Sequence, residues 1–287
     1  MNTSTFTEAS PQIFAAGIGD DISSEFLAPP VRTVESNWHK RLIEGLEQNQ
    51  FQLFGQRVTP IHPGAKRPGE HYELLLRLNT QNRGITSPAA FMPAARRLRL
   101  LQEIDRWVIQ AVLERARIEK KRGLPTVHYS INLSGPAIGD EGLLLFILEQ
   151  FADTDADPKT ICFELTETVA VRHLRGTQHL ISVLRSRGCT FSLDDFGQGL
   201  SSLTHLKHLD VDYLKIDGSF VKDLATDMVD YTIVEAVHRM AQAMGLKTIA
   251  EYAECDAIIA KLQQIGVDYA QGYQIHKPEP FATLPRG

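Results

Sequence analysis

Short apolar runs rich in β-branched and aromatic residues alternate with longer amphipathic segments along most of this chain. Eight such runs have the length and composition of β-strands, and they cover residues 51–60, 71–78, 127–133, 161–166, 190–194, 212–216, 247–251 and 268–273. Helical segments separate most of them; within residues 232–244, one apolar face at helical spacing is formed by Ile233, Val237 and Met240. Eight alternating strand and helix steps predict an α/β fold, a TIM-like (β/α)8 barrel.

The connection between the first two runs is unusually short for a barrel of parallel strands. Residues 61–70 have the sequence IHPGAKRPGE and show no helical pattern. A short link rich in Pro and Gly suits an antiparallel hairpin, because parallel neighbours need a longer crossover. We therefore expect the barrel to have an antiparallel first strand.

The amino-terminal residues 1–36 differ in composition from the rest of the chain. They contain Ser, Thr, Gly and the pair Pro29-Pro30, without a sustained apolar period. From Trp38 onward, Trp38, Leu42 and Leu46 fall on one face of a helix. We therefore expect residues 1–36 to form a tail or interdomain linker and residues 37–287 to form one domain.

Charge, cysteine content and hydropathy exclude several classes of protein. A net charge of -5 and a pI near 6.1 argue against binding of nucleic acid polymers, which takes clustered Lys and Arg. The three cysteines are widely separated and form no CxxC pair, so the sequence predicts neither disulfides nor a zinc site but a cytoplasmic location. The longest apolar run, Leu143 to Leu148, is far shorter than the roughly 20 residues of a membrane helix, so no membrane partner is expected.

Polar side chains recur at or near the carboxyl ends of the predicted strands. They are Glu73, Asn132, Glu164, Asp194, Asp195, Lys215, Glu251 and Gln271. The strand ends of a barrel converge on one face, and a ring of buried carboxylates is tolerable only when cations are present. Carboxylate and amide oxygens without a His or Cys cluster favour Mg²⁺ or Mn²⁺ over zinc.

Three of these features have a second interpretation. Asp194 and Asp195 can serve one site only where the strand turns into a loop, as Phe196-Gly197-Gln198-Gly199 allows; a solvated strand end is the alternative. Lys215 lies in an apolar run, where a buried ammonium needs a carboxylate neighbour. It could form a structural ion pair or orient the attacking water. Arg77 suits a phosphate oxygen, or else a surface ion pair.

Seven motifs follow one another in an order that resembles the EAL-domain phosphodiesterases. They are ELL at 73–75, INLS at 131–134, ELTET at 164–168, DDFGQG at 194–199, LKIDGSFV at 214–221, AEYAE at 250–254 and QGYQIHKP at 271–278. The resemblance extends from about Gln52 to Pro280. It implies a TIM-like barrel with a reversed first strand and an enzyme that hydrolyses cyclic di-GMP to linear pGpG.

The resemblance also implies roles for individual residues. The implied ligands of two Mg²⁺ or Mn²⁺ ions are Glu73, Asn132, Glu164, Asp194, Asp195 and Glu251. The implied catalytic residues are Glu251, Lys215 and Glu73, and the implied contacts to substrate are Gln56, Leu76, Arg77, Asp217 and Gln271. Glu167 resembles the residue that holds the DDFG loop in place. Glu254 resembles an acid that lies next to the metal ligands without binding the metal itself.

The same resemblance implies partners and exposes departures from the family pattern. A homodimer, an upstream sensory or GGDEF domain and a role in bacterial biofilm signalling are expected. Five positions differ from the usual motif residues without removing a ligand: Gln198 for Thr, Leu200 for an aromatic residue, Tyr252 for Gly, Arg96 for Glu and Arg99 for Gly.

Two other functions remain open at this stage. One is a receptor that captures cyclic di-GMP and signals through a protein partner without cutting the ligand. The other is a barrel metalloenzyme of the aldolase or enolase type, in which Lys215 would act as a base or Schiff-base nucleophile.

Overall fold

A computed structural model describes residues 31–65, 69–80, 84–197 and 206–283 of the chain. Its strands are β1 (Phe51–Arg57), β2 (Thr59–Pro60), β3 (Glu70–Thr80), β4 (Gly84–Thr86), β5 (Val127–Asn132), β6 (Ile161–Thr166), β7 (Thr190–Phe196), β8 (Tyr213–Ile216), β9 (Lys247–Ala250), β10 (Tyr269–Ala270) and β11 (Glu279–Pro280). Its helices are α1 (Val31–Glu47), α2 (Pro88–Arg97), α3 (Leu101–Lys121), α4 (Glu141–Thr154), α5 (Glu167–Arg172), α6 (Leu174–Ser186), α7 (Gly218–Val221), α8 (Met228–Ala243) and α9 (Asp256–Ile265).

The described strands form a single sheet in the order β11-β1-β3-β5-β6-β7-β8-β9-β10-β2, with β4 paired to β3. From β3 through β10 along this order, neighbouring strands run parallel. The segment 51–60 contacts both ends of that parallel array, since β1 pairs with β3 and β2 pairs with β10. This segment therefore closes the sheet into a TIM-like barrel, as the sequence predicts.

The first hairpin has the antiparallel geometry that its short connection predicts. β1 and β3 pair in register from Phe51 opposite Leu78 to Arg57 opposite Tyr72. The next pairing, between β3 and β5, is parallel and spans α2 and α3. The antiparallel first strand is therefore confirmed, because only the longer crossover returns the chain in the same direction.

Burial of the strands explains why their ends can be polar. The residues of β5 are buried from Val127 to Ile131, and Asn132 at its end is exposed. Parallel strands covered by helices on one face and by the barrel interior on the other read as continuous apolar runs. Polar residues are tolerated where those runs end, so the carboxyl-terminal edge of the barrel collects them.

The element boundaries differ from the predicted ones at a few places. α1 begins at Val31, within the stretch predicted as a tail or linker, and residues 1–30 lie outside the described part of the chain. The last predicted strand is reduced to the two residues of β10. Among the described residues, no helix combines the length and the apolarity that a membrane span requires.

Candidate metal and substrate site

Lys215 lies at the centre of four carboxylates at the carboxyl-terminal edge of the barrel. Its side chain, on β8, is 1% exposed. The distances from its Nζ are 3.1 Å to Glu73, 2.9 Å to Glu164, 3.0 Å to Asp194 and 2.9 Å to Glu251. These acids come from β3, β6, β7 and the residue after β9, so the barrel brings together side chains that are far apart in sequence.

Two side-chain amides complete the surroundings of Glu73. Asn132 Nδ2 donates to Glu73 Oε1 at 2.8 Å, and Gln271 Nε2 donates to Glu73 Oε2 at 2.7 Å. Gln271 Nε2 also donates to Gln56 Oε1 at 3.1 Å, and the Gln56 amide donates to the His276 carbonyl at 3.1 Å. The Glu73 carboxylate is thus held from β5, β8 and the loop after β10.

The proton affinities of the cluster follow from burial and from the single cation at its centre. Burial opposes charge on Lys215, but the surrounding carboxylates outweigh it and raise its pKa well above the usual value. Burial also opposes charge on Glu73, yet Lys215 and the two amides hold its pKa below the usual value. Burial raises the pKa of both Glu164 and Glu251 to about 8. One lysine charge therefore does not keep every carboxylate ionised.

The residues of the cluster fit divalent cations. Carboxylate oxygens of Glu73, Glu164 and Asp194 lie within 4.8 Å of one another, and so do those of Asp194, Asp195 and Glu251. Glu164 Oε1 is buried without a hydrogen-bond partner in the described structure, and such an acceptor is costly unless a cation satisfies it. Because the donors are oxygens, hard cations are the matching class. The two groups share Asp194, which would allow two ions to be held side by side.

Asp194 and Asp195 reach one site because the chain turns inside β7. Asp195 has a φ of 55°, in the left-handed region, and its N–H donates to Asp194 Oδ1 at 3.0 Å. The pairing of β7 with β8 also shifts register between Leu193 and Phe196. The chain therefore turns at Asp195, one residue before the loop 196–199 that the sequence suggested.

Glu167, which the resemblance assigns to the DDFG loop, contacts that loop. Glu167, buried at the start of α5, accepts a hydrogen bond from the Gly197 N–H at 3.3 Å. Gly197 has a φ of 105°, and a Cβ there would lie 2.8 Å from the Phe220 ring, so this close approach suits glycine. Gln198 and Leu200, two of the predicted departures, lie outside the described residues.

A cavity of about 300 Å³ opens beside Glu73 and Glu251. Three of the predicted substrate residues, Gln56, Arg77 and Gln271, line it. The Arg77 guanidinium lies 5.6 Å from the centre of the Phe54 ring, and its Nη1 donates to the Leu76 carbonyl at 2.8 Å.

The remaining predicted residues have other surroundings. Leu75 lines the cavity where Leu76 was predicted, because Glu73, Leu75 and Arg77 share one face of β3 at the two-residue period of a strand. That period would have identified Leu75 from the sequence. Asp217 caps α7 by accepting from the Ser219 N–H at 2.8 Å. Glu254 is exposed and lines the cavity, a position open to substrate.

Two tyrosines that the sequence did not assign to the site also line the cavity. Tyr252 and Tyr273 are 59% and 57% exposed, respectively. Tyr252 has a φ of 55°, and its ring packs so closely on Gly218 that a Cβ there would lie 2.1 Å away. Arg99 has a φ of 59° as well, so both departures from a glycine of the family pattern keep a backbone that glycine adopts easily.

Comparison with known proteins gives matches over most of the chain. A family model described as EAL domain matches residues 39–278. The cyclic di-GMP phosphodiesterase PdeB of Shewanella oneidensis is 39% identical over 247 residues, which are 86% of this chain and 28% of that protein. The cyclic di-GMP phosphodiesterase PdeF of Escherichia coli is 33% identical over 241 residues, 84% of this chain and 32% of that protein. The chain thus spans about a third or less of these curated relatives.

Solved structures match in fold over nearly the same region. The PaMucR phosphodiesterase in complex with c-di-GMP has a TM-score of 0.80 at 29% identity, covering 87% of this chain and all of that one (100%). The FimX EAL domain of Pseudomonas aeruginosa bound to c-di-GMP has a TM-score of 0.78 at 29% identity, covering 85% of this chain and 96% of that one.

Proposed function

This chain belongs to the EAL domain family, and from that premise we propose that it hydrolyses cyclic di-GMP to linear pGpG with divalent cations at the carboxylates around Lys215. The observation that carries the proposal is the convergence of four carboxylates on Lys215 beside a cavity that is also lined by Arg77. Relatives named as cyclic di-GMP phosphodiesterases at 39% and 33% identity support the choice of reaction.

The residues proposed to hold the cations are Glu73, Asn132, Glu164, Asp194, Asp195 and Glu251. Bound divalent cations would polarise the phosphodiester and lower the pKa of a water molecule near it. We propose Mg²⁺ or Mn²⁺, two ions in all, because every donor is an oxygen and the two carboxylate groups share Asp194.

Side chains of this chain would carry out the proton transfer and orient the reacting groups. Glu251, ionised when the cations are bound, is proposed to accept the proton of the attacking water. Lys215 keeps four acidic side chains together, lies 2.9 Å from Glu251, and is proposed to orient the attacking water. The water oxygen bonds to phosphorus as the bond between phosphorus and the ribose 3′ oxygen breaks. That 3′ oxygen takes up a proton from solvent and becomes a hydroxyl, which gives a linear product with a 5′ phosphate.

Substrate binding would rest on the wall of the cavity. Arg77 offers a guanidinium to a phosphate oxygen, and Gln56 and Gln271 hold Glu73 beside it. A local excess of positive charge from Arg77 and the cations would allow a chain with a net charge of -5 to bind a dianion. Leu76, whose carbonyl accepts from Arg77, and Asp217, which caps α7, are also proposed to contact the substrate.

The decisive experiment is a nucleotide assay of the purified chain with Mg²⁺ or Mn²⁺. Formation of pGpG from cyclic di-GMP is the expected result, and Glu73→Ala should abolish it while the circular dichroism spectrum stays unchanged. Glu235→Ala is the matched control, because Glu235 pairs with Arg239 on the surface of α8. Tight binding of cyclic di-GMP without pGpG in the presence of either metal would favour the receptor function instead.

Finer expectations are also proposals. We propose a cytoplasmic location, a homodimer, and attachment to a sensory or GGDEF domain in a longer parent with a role in biofilm signalling. Support for the last comes from MucR of Pseudomonas aeruginosa, named a bifunctional diguanylate cyclase/cyclic di-GMP phosphodiesterase, of which this chain covers 35% at 31% identity.

A further inference from the structure

Asp105 is a buried acid that lies outside the carboxylate cluster. It projects from α3, is 6% exposed, and accepts a hydrogen bond from the Ser134 hydroxyl at 2.5 Å on Oδ2. Within the described residues, no lysine or arginine forms an ion pair with it. Burial raises the pKa of Asp105 to about 7, which means that its charged form is held at a cost to the fold. An apolar residue at this place in α3 would be cheaper to bury.

Ser134 connects this acid to the proposed metal site. It lies two residues after Asn132, at the start of the short 3₁₀ turn Gly135–Ala137, and its side chain does not cap that turn. The hydroxyl is directed to Asp105 instead. One turn earlier on α3, Gln102 Nε2 donates to the Pro136 carbonyl at 3.0 Å and to Asp140 Oδ2 at 2.9 Å. Helix α3 therefore holds the loop 133–140 at two places.

Asn132 lies directly before that loop, and the N–H of Leu133, which follows it, donates to the Glu164 carbonyl at 2.9 Å. The side chain of Asn132 is exposed at the end of β5, so packing does not fix it. Its backbone pairs with Glu164 of β6 on one side, and the loop held by Asp105 begins directly after it. Its amide must remain at 2.8 Å from Glu73 Oε1, and displacement by a few tenths of an ångström would weaken that bond.

We infer that Asp105, acting through Ser134, is a positioning residue for Asn132 and thereby for the proposed metal centre. The inference rests on the proposed function, since it takes Asn132 as a metal ligand. Residues behind a ligand commonly change metal affinity about 10- to 100-fold when they are removed. A residue that served only the packing of α3 would change stability and leave metal affinity alone.

The test compares four single variants and one double variant in the full chain. Asp105→Leu keeps the approximate size of the side chain and removes a buried charge, so the folded state should persist. Asp105→Asn keeps an oxygen that can accept from Ser134, Ser134→Ala removes the donor, and Gln110→Leu is the control, because Gln110 is exposed on the same helix and carries no charge. The double variant combines Asp105→Leu with Ser134→Ala.

Binding of Mn²⁺ without substrate is read from the electron paramagnetic resonance signal of the free ion, and the melting temperature is recorded for each protein. Asp105→Leu and Ser134→Ala should each weaken Mn²⁺ binding by about 10-fold or more, and Asp105→Asn should recover most of the affinity. The double variant should bind no more weakly than the weaker single variant, because both changes remove one contact. Gln110→Leu should bind Mn²⁺ as the wild type does.

Unchanged Mn²⁺ affinity in folded Asp105→Leu would overturn the inference, as would additive losses in the double variant. If Asp105→Leu loses its cooperative unfolding transition, Ser134→Ala decides instead, and an unchanged Mn²⁺ affinity of Ser134→Ala would overturn the inference. A wild type that binds Mn²⁺ but forms no pGpG would refute the proposed hydrolysis, while the Mn²⁺ titrations would still decide the role of Asp105. A wild type that binds no Mn²⁺ would overturn both.

Discussion

Lys215 Nζ and Glu164 Oε2 lie 2.9 Å apart, and each of the two side chains is only 1% exposed. Breaking a buried ion pair by removing one partner is more damaging than replacing both, because the remaining charge stays desolvated. Here the lysine is shared with three further carboxylates, so its loss leaves several acids without their common partner. The fold around the site therefore depends on either Lys215 or other cations.

We expect Lys215→Met to destabilise the metal-free chain by about 3–5 kcal/mol and to abolish pGpG formation. Added Mn²⁺ should raise the melting temperature of the variant more than that of the wild type, because cations then replace part of the lost charge. Thermal unfolding with and without Mn²⁺ measures both effects. Lys222→Met is the control, since Lys222 is 59% exposed and 3.8 Å from Asp223. Equal melting temperatures of Lys215→Met and wild type without metal would contradict the prediction.

Asp105 should make the metal-free chain less stable at alkaline than at acid pH. Burial raises its pKa from 3.8 to about 7, so the folded state binds the proton more tightly than the unfolded state. The stabilising contribution is complete below about pH 4 and is lost as the pH rises through about 7, by up to about 4 kcal/mol. Asp105→Asn cannot ionise, so relative to wild type it should gain stability between pH 5 and pH 8. Urea unfolding in the presence of a chelator measures this gap, and an equal gap at both pH values would refute it.

Metal binding should release protons from the carboxylate cluster. Burial raises the pKa of Glu164 and Glu251 to about 8, so at pH 7 both are largely protonated in the metal-free chain. Cation binding requires their ionised forms, and affinity should therefore increase as the pH rises from 6 to 9. Calorimetry at pH 7 in two buffers with different ionisation enthalpies counts the protons released. Binding heats that do not depend on the buffer would count against this account.

The sequence predicts the parts of the site that follow from strand ends. Glu164, Asp194 and Glu251 lie at or near the ends of apolar runs, and in a barrel such ends converge whatever the intervening helices are. Glu73 is the third residue of the run 71–78, so its place in the site follows from the family resemblance instead. The short link after β1 predicts the reversed strand for a similarly local reason, since ten residues cannot make a parallel crossover.

Contacts that depend on tertiary geometry are not visible in the same way. The positive φ of Asp195 places two consecutive acids in one cluster, although strand alternation alone would separate them. The contact of Asp105 with Ser134 joins residues 29 positions apart. Residue spacing within a helix or a strand does not predict a contact between α3 and the loop after β5. The two-residue period of β3 is enough to predict that Leu75 shares a face with Glu73 and Arg77. The capping role of Asp217, in contrast, can be recognised only from the structure of α7.

Tyr252 should contribute to substrate affinity rather than to turnover. Its φ of 55° costs a tyrosine about 1–3 kcal/mol, and glycine adopts this conformation freely, so Tyr252→Gly should fold as well as wild type. The exposed ring lines the cavity, and stacking of a nucleobase on an aromatic face contributes about 1–3 kcal/mol. The KM for cyclic di-GMP should therefore rise about 5- to 150-fold in Tyr252→Gly with little change in kcat, because the ring binds the base equally in ground and transition states. Tyr252→Phe retains the ring and should behave as wild type, and hydrolysis of bis(p-nitrophenyl) phosphate, which has no base, should be the same in all three proteins. If Tyr252→Gly keeps the wild-type KM for cyclic di-GMP, the ring does not contact the substrate and its strained backbone has another cause.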